Sequence, residues 1–318
     1  MTVEFGLALE NFTPGRKTPS MDAVVEYAQT AEELGFASVW AWDHIFLGAR
    51  RPFPFLEALT TLTTVAARTS RIHLGTGVLV LPIREPAILA KATGTLQIAS
   101  GGRLVLGLAA GWYEREFEAT GVPFKSRGTA FERNLDMVFR LWGEDDLSGE
   151  WDGRVLRHVR MLPLPGPRPQ VLIGGYVDRV LKRAATLGDG WITYFYTAGS
   201  FARSWSKIRA FAEEAGRDPD QLRNAAQLPL CIGPSFEHAT RSVNEYVAEY
   251  FDTPAWSEST ADSSIRGTAE QCAEQIAAHI EAGAQHLIFC PYNYEREQVH
   301  RLATEVLPLL GARLPGAA

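Results

Sequence analysis

Apolar and polar positions along the chain fall into one recurring unit. An amphipathic helix ends at Gly, and a short apolar run follows almost at once. The unit appears as AEELG before FASVWAW, as IASGG before RLVLGLA, as ATLGDG before WITYF and as IEAGAQ before HLIFC. Gly just past a helix accepts the left-handed backbone that turns the chain back sharply, so these joints predict very short αβ loops. In Met21–Leu34 the apolar residues Met21, Val24, Val25, Ala28, Ala31 and Leu34 repeat at helical period, with Ser20 placed as the N-cap. Near the other end, Thr268-Ala269-Glu270-Gln271 reads as a capping box opening a second amphipathic helix. Eight short apolar runs read as strands: 3–9, 36–42, 72–80, 104–109, 171–174, 191–195, 226–232 and 286–290. Several are apolar throughout rather than alternating, as parallel strands covered on both faces are.

Eight strands, each followed by a helical segment, predict an α/β fold, a closed (β/α)8 TIM barrel. Periodicity alone leaves an open doubly wound sheet as the alternative. No repeat longer than the βα unit and no linker is visible, so residues 1–318 read as a single domain. Two stretches depart from the rhythm. An insertion at about 112–170 holds an extra helix, about 127–141, and the Gly/Pro-rich run LPLPGPRP. A polar stretch at about 252–264, containing TPAWSESTADSS, reads as a mobile loop ahead of the last strand.

Composition narrows the class. With 318 residues, 46% hydrophobic and 21% charged, the chain can bury a large core, which excludes a disordered protein, a collagen or a disulfide-stapled miniprotein. The balance of 31 Lys+Arg against 37 Asp+Glu gives a net charge of −6, which argues against binding to nucleic acid or an anionic membrane. Three cysteines without a Cys-x-x-Cys pair fit a reducing compartment. No apolar stretch approaches the roughly 18 residues of a span, and the N-terminus lacks a signal pattern, so a cytoplasmic protein is expected. The seven histidines show no metal-ligand spacing, so no metal site is expected.

In a barrel of this kind, chemistry gathers at the C-terminal ends of the strands and in the loops that follow. Those positions include Glu10, Asp43-His44, Gly77-Val78, the stretch from Gly111 to Glu116, Gly174-Gly175 and Tyr194. Asp43-His44 directly after a strand reads either as an acid–base pair or as a capping Asp and a packed His. Gly174-Gly175 ahead of a helix reads either as a tight turn or as a place where a phosphate meets helix amides. Trp40 is expected in the core, and Trp42 at the strand end can wall a pocket.

The segments LGFASVWAWDHIF, IHLGTGVLVLPIREPAILAKATGTLQIASGGRLVLGLAAGWYEREFEATGVPF, VLIGGYVDRVLKRAATLGDGWI and GTAEQCAEQIAAHIEAGAQHLIF together resemble the bacterial luciferase-like superfamily. Within it they resemble most the coenzyme F420-dependent oxidoreductases, in order over nearly the whole chain. The resemblance implies a (β/α)8 barrel holding a flavin or an 8-hydroxy-5-deazaflavin across its mouth. It implies that Asp43 contacts the ring or its side chain and that His44 is the proton donor or substrate ligand. It implies a non-proline cis peptide at Gly77-Val78 behind the ring. Ala110, Gly111 and Arg115 would follow the cofactor's side chain, and Gly174, Gly175, Tyr176 and Val177 would cradle its phosphate. Trp112 stands where members oxidising sugar phosphates carry a catalytic Glu, which points away from such a substrate and leaves Glu114 or Glu116 to act instead. Glu10, Trp42, Trp112 and Tyr194 would shape the substrate pocket.

The expected activity is hydride transfer between coenzyme F420 and an unidentified small organic substrate. A two-component FMN-dependent monooxygenase, fed FMNH2 by a separate reductase, is the alternative. A non-catalytic flavin-binding barrel is the second. The resemblance leaves a homodimer and a partner reductase open.

Overall fold

The computed structural model describes residues 3–14, 17–48, 53–250, 262–312, 314 and 316. Eight parallel strands close into a ring: β1 (Glu4–Ala8), β2 (Ser38–Ala41), β3 (His73–Val80), β4 (Leu104–Ala109), β7 (Gln170–Gly174), β8 (Gly190–Tyr194), β9 (Arg223–Ile232) and β11 (His286–Pro291). Each pairs with the next, β9 pairs with β11, and β11 returns to β1. The fold is a (β/α)8 barrel, and its eight ring strands are the eight apolar runs of the sequence. The open-sheet alternative is excluded by the β8–β9 and β1–β11 pairings.

Local signals explain the helices. Helix α1 (Met21–Leu34) starts at Ser20, whose side chain accepts from the Ala23 N–H, and stops at Gly35 in the left-handed region at φ 91°. Helix α9 (Ala269–Glu281) opens with both bonds of the Thr268/Gln271 capping box. The insertion contains α4 (Glu114–Thr120), α5 (Arg127–Gly143) and an antiparallel hairpin of β5 (Leu147–Trp151) and β6 (Arg154–Val159). The hairpin and the short β10 (Ile265–Gly267), which pairs with β9 outside the ring, are absent from the apolar pattern. The hairpin strands are mostly exposed, so they lack the continuous apolar run used to find the others. Of the expected mobile loop at 252–264, residues 252–261 lie outside the described residues; Ser263 and Ser264 are buried.

The barrel interior is filled, as it must be to exclude water. Trp40 is fully buried and lies across Gly75, where a Cβ would meet its ring at 2.2 Å. At the N-terminal end of the strands a polar network forms the floor. The Trp40 indole N–H donates to Ser38 Oγ at 2.7 Å, and Ser38 Oγ meets His286 Nε2 at 2.7 Å. His286 Nδ1 lies 3.2 Å from Glu4. At the opposite, C-terminal end the strands open onto a cavity.

Candidate active site

The cavity has a volume of about 710 Å³ and sits over the ends of β2, β3, β4, β7 and β8. The remaining part of the mouth, over β9, β11 and β1, carries packed rings. Tyr246 and Tyr250 of α8 (Phe236–Tyr250) pack on each other and on Tyr294, and Tyr250 also meets Phe12.

The end of β2 is fixed by Asn11, which is wholly buried. Its side-chain oxygen accepts from the Trp42 N–H at 2.8 Å, and its amide donates to the carbonyls of Trp42 at 2.8 Å and Leu56 at 3.0 Å. With Trp42 pinned, Asp43 and His44 emerge into the cavity. The Asp43 carboxylate accepts from the Val80 N–H at 2.9 Å and from the Arg84 guanidinium at 2.6 Å. Burial pushes the Asp43 carboxyl above the usual range, and Arg84 and the Val80 amide oppose that shift. His44 Nδ1 lies 3.0 Å from Glu116 on α4, and Glu116 is 1% exposed. The other Glu116 oxygen accepts from the Ile45 N–H at 2.6 Å and the Phe46 N–H at 3.3 Å. One buried carboxylate therefore holds both the ring and the backbone that follows it. With Nδ1 donating to Glu116, Nε2 is the ring nitrogen left for a ligand, a tautomer assigned from this network.

The floor of the cavity is made by β3. Its register with β4 shifts between Thr76 and Leu79, and the Gly77-Val78 peptide is cis, as the family resemblance implies. The bulge sends Val78 toward Gly107 and Gly174; a Cβ on either would meet Val78 Cγ1 at 3.1 Å. Small residues thus let the bulge sit flat under the cavity.

The end of the cavity over β4 and β7 carries positive charge. Lys125, from the turn ahead of α5, Arg127, the first residue of α5, and Arg179 and Arg183, from α6 (Asp178–Thr186), all line it. Arg183 is 7% exposed; its Nε donates to Glu132 at 2.6 Å, and its guanidinium lies where a Cβ on Gly128 would be. Among the described residues, Lys125, Arg127 and Arg179 have no carboxylate partner. Gly175, at φ 142°, turns the chain into α6, and the Trp191 indole N–H donates to its carbonyl at 2.9 Å. The first turn of α6 lines the same end through Val177, Arg179 and Val180.

Most of the sequence candidates meet here. Trp42, Asp43, His44, Gly77, Val78, Ala110, Gly111, Trp112, Gly174, Gly175, Tyr176, Val177 and Tyr194 all line the cavity. Three do not. Glu114 and Arg115 are exposed on the outer side of α4, because the helical turn brings Glu116 and Phe117 inward instead. Glu10 sits beside the packed rings, where it accepts from the Tyr250 hydroxyl at 2.9 Å; burial raises its carboxyl above the usual range. The four basic residues and Arg84 were not among the candidates. Arg179 and Arg183, four apart right after the Gly pair, were a readable signal: that spacing puts both on one helix face. Among the described residues no group of three His, Cys, Asp or Glu is placed to hold a metal, and no helix is long and apolar enough to cross a membrane.

Comparison with known proteins places this layout. The sequence model of the luciferase-like monooxygenases matches residues 3–286. The F420-dependent glucose-6-phosphate dehydrogenase of Amycolatopsis mediterranei is 26% identical, over 91% of this chain and 94% of that one. The F420-dependent hydroxymycolic acid dehydrogenase of Mycobacterium tuberculosis is 31% identical, over 67% of this chain and 59% of that one. The crystal structure of a monooxygenase from Streptomyces bottropensis superposes with a TM-score of 0.81 at 22% identity, over 96% of this chain and 99% of that one, and so shares the fold. The chain belongs to the luciferase-like monooxygenase family and is an oxidoreductase of it.

Proposed function

We propose that the chain is a coenzyme F420-dependent oxidoreductase in which His44 handles the substrate's proton. The observation that carries this is the division of one cavity into a His44–Glu116 end and an end with four basic side chains. The residues present fit the cofactor. The small residues Gly77, Ala109, Ala110, Gly111 and Gly174 leave room for a flat ring against the bulge. The Gly175–Val177 turn and the start of α6 fit a phosphate, and Lys125, Arg127, Arg179 and Arg183 fit further negative charge on a tail. Two relatives named for F420 dependence, one aligned over nearly the full chain, support the same reading.

When bound, the deazaflavin supplies a two-electron hydride exchange without oxygen chemistry. The remaining work falls to the chain. Asp43, fixed by Arg84 and the Val80 amide, presents a carboxylate of set position to the ring region. His44 Nε2 takes a proton from a substrate hydroxyl, or returns one to a carbonyl oxygen, while Glu116 stabilises the charged ring. Trp42, Trp112 and Tyr194 keep water from the reacting end.

The test is a titration of the purified protein with F420 and with FMNH2, followed by deazaflavin fluorescence and by flavin absorbance. Binding of F420 well ahead of FMNH2 is expected. Tight FMNH2 binding with no response to F420 overturns the proposal and favours the FMN-dependent monooxygenase.

A further inference from the structure

Resting on the reading above, we propose that the substrate is an uncharged, bulky apolar alcohol, or the matching ketone, docked on the aromatic wall beside His44. The basic residues of the cavity come from the segments after β4 and β7, and among the described residues none forms an ion pair with a group on the β2 loop that carries His44. The charged groups close to His44 are Asp43, Glu116 and Arg84. The Arg84 guanidinium already faces two carboxylates, Asp43 at 2.6 Å and Glu57 at 3.6 Å. An anionic substrate would meet no open cation there and would sit near two buried carboxylates.

What surrounds His44 is aromatic. Its ring meets Trp112 edge-on at 5.7 Å and Phe55 at 5.4 Å, and Trp42 stands in the same cavity. The apolar surface continues outward. Ile45 is 49% exposed and Phe46 is 41% exposed. They are not a loose segment, since Glu116 binds both of their backbone N–H groups. Two large apolar side chains held in solvent next to a cavity form a surface for an apolar ligand.

The chemistry balances for a carbinol. Its C–H bond breaks and the hydride goes to the deazaflavin; its O–H bond breaks and the proton goes to His44 Nε2; the C=O bond forms, and the substrate loses two electrons. Ketone reduction is the reverse.

The experiment uses the full chain loaded with F420, with 2-butanol, 2-decanol and glucose 6-phosphate as probes. KM should fall by about tenfold or more from 2-butanol to 2-decanol as apolar surface is buried. The double variant Ile45→Ser, Phe46→Ser should compress that ratio severalfold, a change that general loss of structure would not produce. Turnover of glucose 6-phosphate with none of the alcohols overturns the proposal, as does a KM independent of chain length. A second measurement stands apart from the cofactor: quenching of tryptophan fluorescence in the free protein. 2-decanone should quench and glucose 6-phosphate should not; the reverse overturns the substrate class even if F420 fails to bind. Failure of F420 binding alone strikes the cofactor reading, and quenching by 2-decanone would still uphold the apolar site.

Discussion

The two ends of the cavity are built on opposite principles. At the His44 end both carboxylates already have partners: Asp43 in Arg84 and the Val80 amide, Glu116 in the His44 ring and two backbone N–H groups. At the other end Lys125, Arg127 and Arg179 have no anionic partner among the described residues, and only Arg183 is paired. A preorganised end holds its geometry without a ligand, which is what proton transfer requires. An end with uncompensated cations gains its stability on binding an anion. Under the proposed function, the first end would place a reacting atom and the second would anchor a charged tail.

Substitutions at the two ends should therefore fail in different ways. The largest effect is expected for His44→Ala, with kcat down by a factor of about 10² or more and the fold intact. Stopped-flow turnover at saturating F420 measures it; unchanged turnover would remove His44 from the chemistry. Glu116→Ala should lower kcat by a smaller factor and also destabilise the fold by about 1–3 kcal/mol, because two backbone N–H groups and the His44 ring lose their acceptor. Urea unfolding beside the same kinetics checks both parts. At the cationic end, Arg179→Gln should raise the Kd for F420 severalfold and flatten its salt dependence, with kcat at saturation nearly kept. A loss of kcat without a change in Kd would erase the distinction between the ends.

The far face of the barrel gives the smallest effect and serves as the control. The His286 ring holds the Glu4 carboxyl below its ordinary value of 4.5, against the opposing pull of burial. A lowered carboxyl pKa stabilises the folded state above the ordinary value, and that contribution is lost as pH falls through the folded value. The Glu4 side chain is 59% exposed, so solvent screening keeps the contribution at or below about 1 kcal/mol. Glu4→Gln should thus lower the urea midpoint slightly at pH 7 and not at all at strongly acid pH, without touching F420 binding. A difference that grows on acidification would reverse the sign.

Much of this architecture was legible in the chain. The eight ring strands announce themselves as continuous apolar runs, and Ser20, Gly35 and Thr268 mark helix ends by local chemistry that needs no tertiary context. The β5–β6 hairpin was not read, although its Asp152-Gly153 turn, with φ 48° and 72°, carries a hairpin signature; exposed strands leave only the turn as a signal. Asp43, His44 and the Gly175 turn follow from the rule that barrel chemistry sits at strand ends. The same rule does not tell that Glu10 lies outside this cavity, because side chains from distant segments, here Tyr250 and Tyr294, pack over its end of the mouth. The basic end was missed for a related reason. Lys125 and Arg127 lie some fifty residues from Arg179 and Arg183 in sequence, and only the start of α5, where Gly128 and Glu132 meet Arg183, brings the four together.

The most direct measurement is a crystal structure of the protein with oxidised F420 bound. The ring should lie on the Gly77-Val78 bulge within hydrogen-bond reach of His44, with the tail running over Gly175 toward Arg179 and Arg183. A ring bound out of reach of His44, or a tail lodged against Glu10 and Tyr250, would contradict the division of the cavity described above.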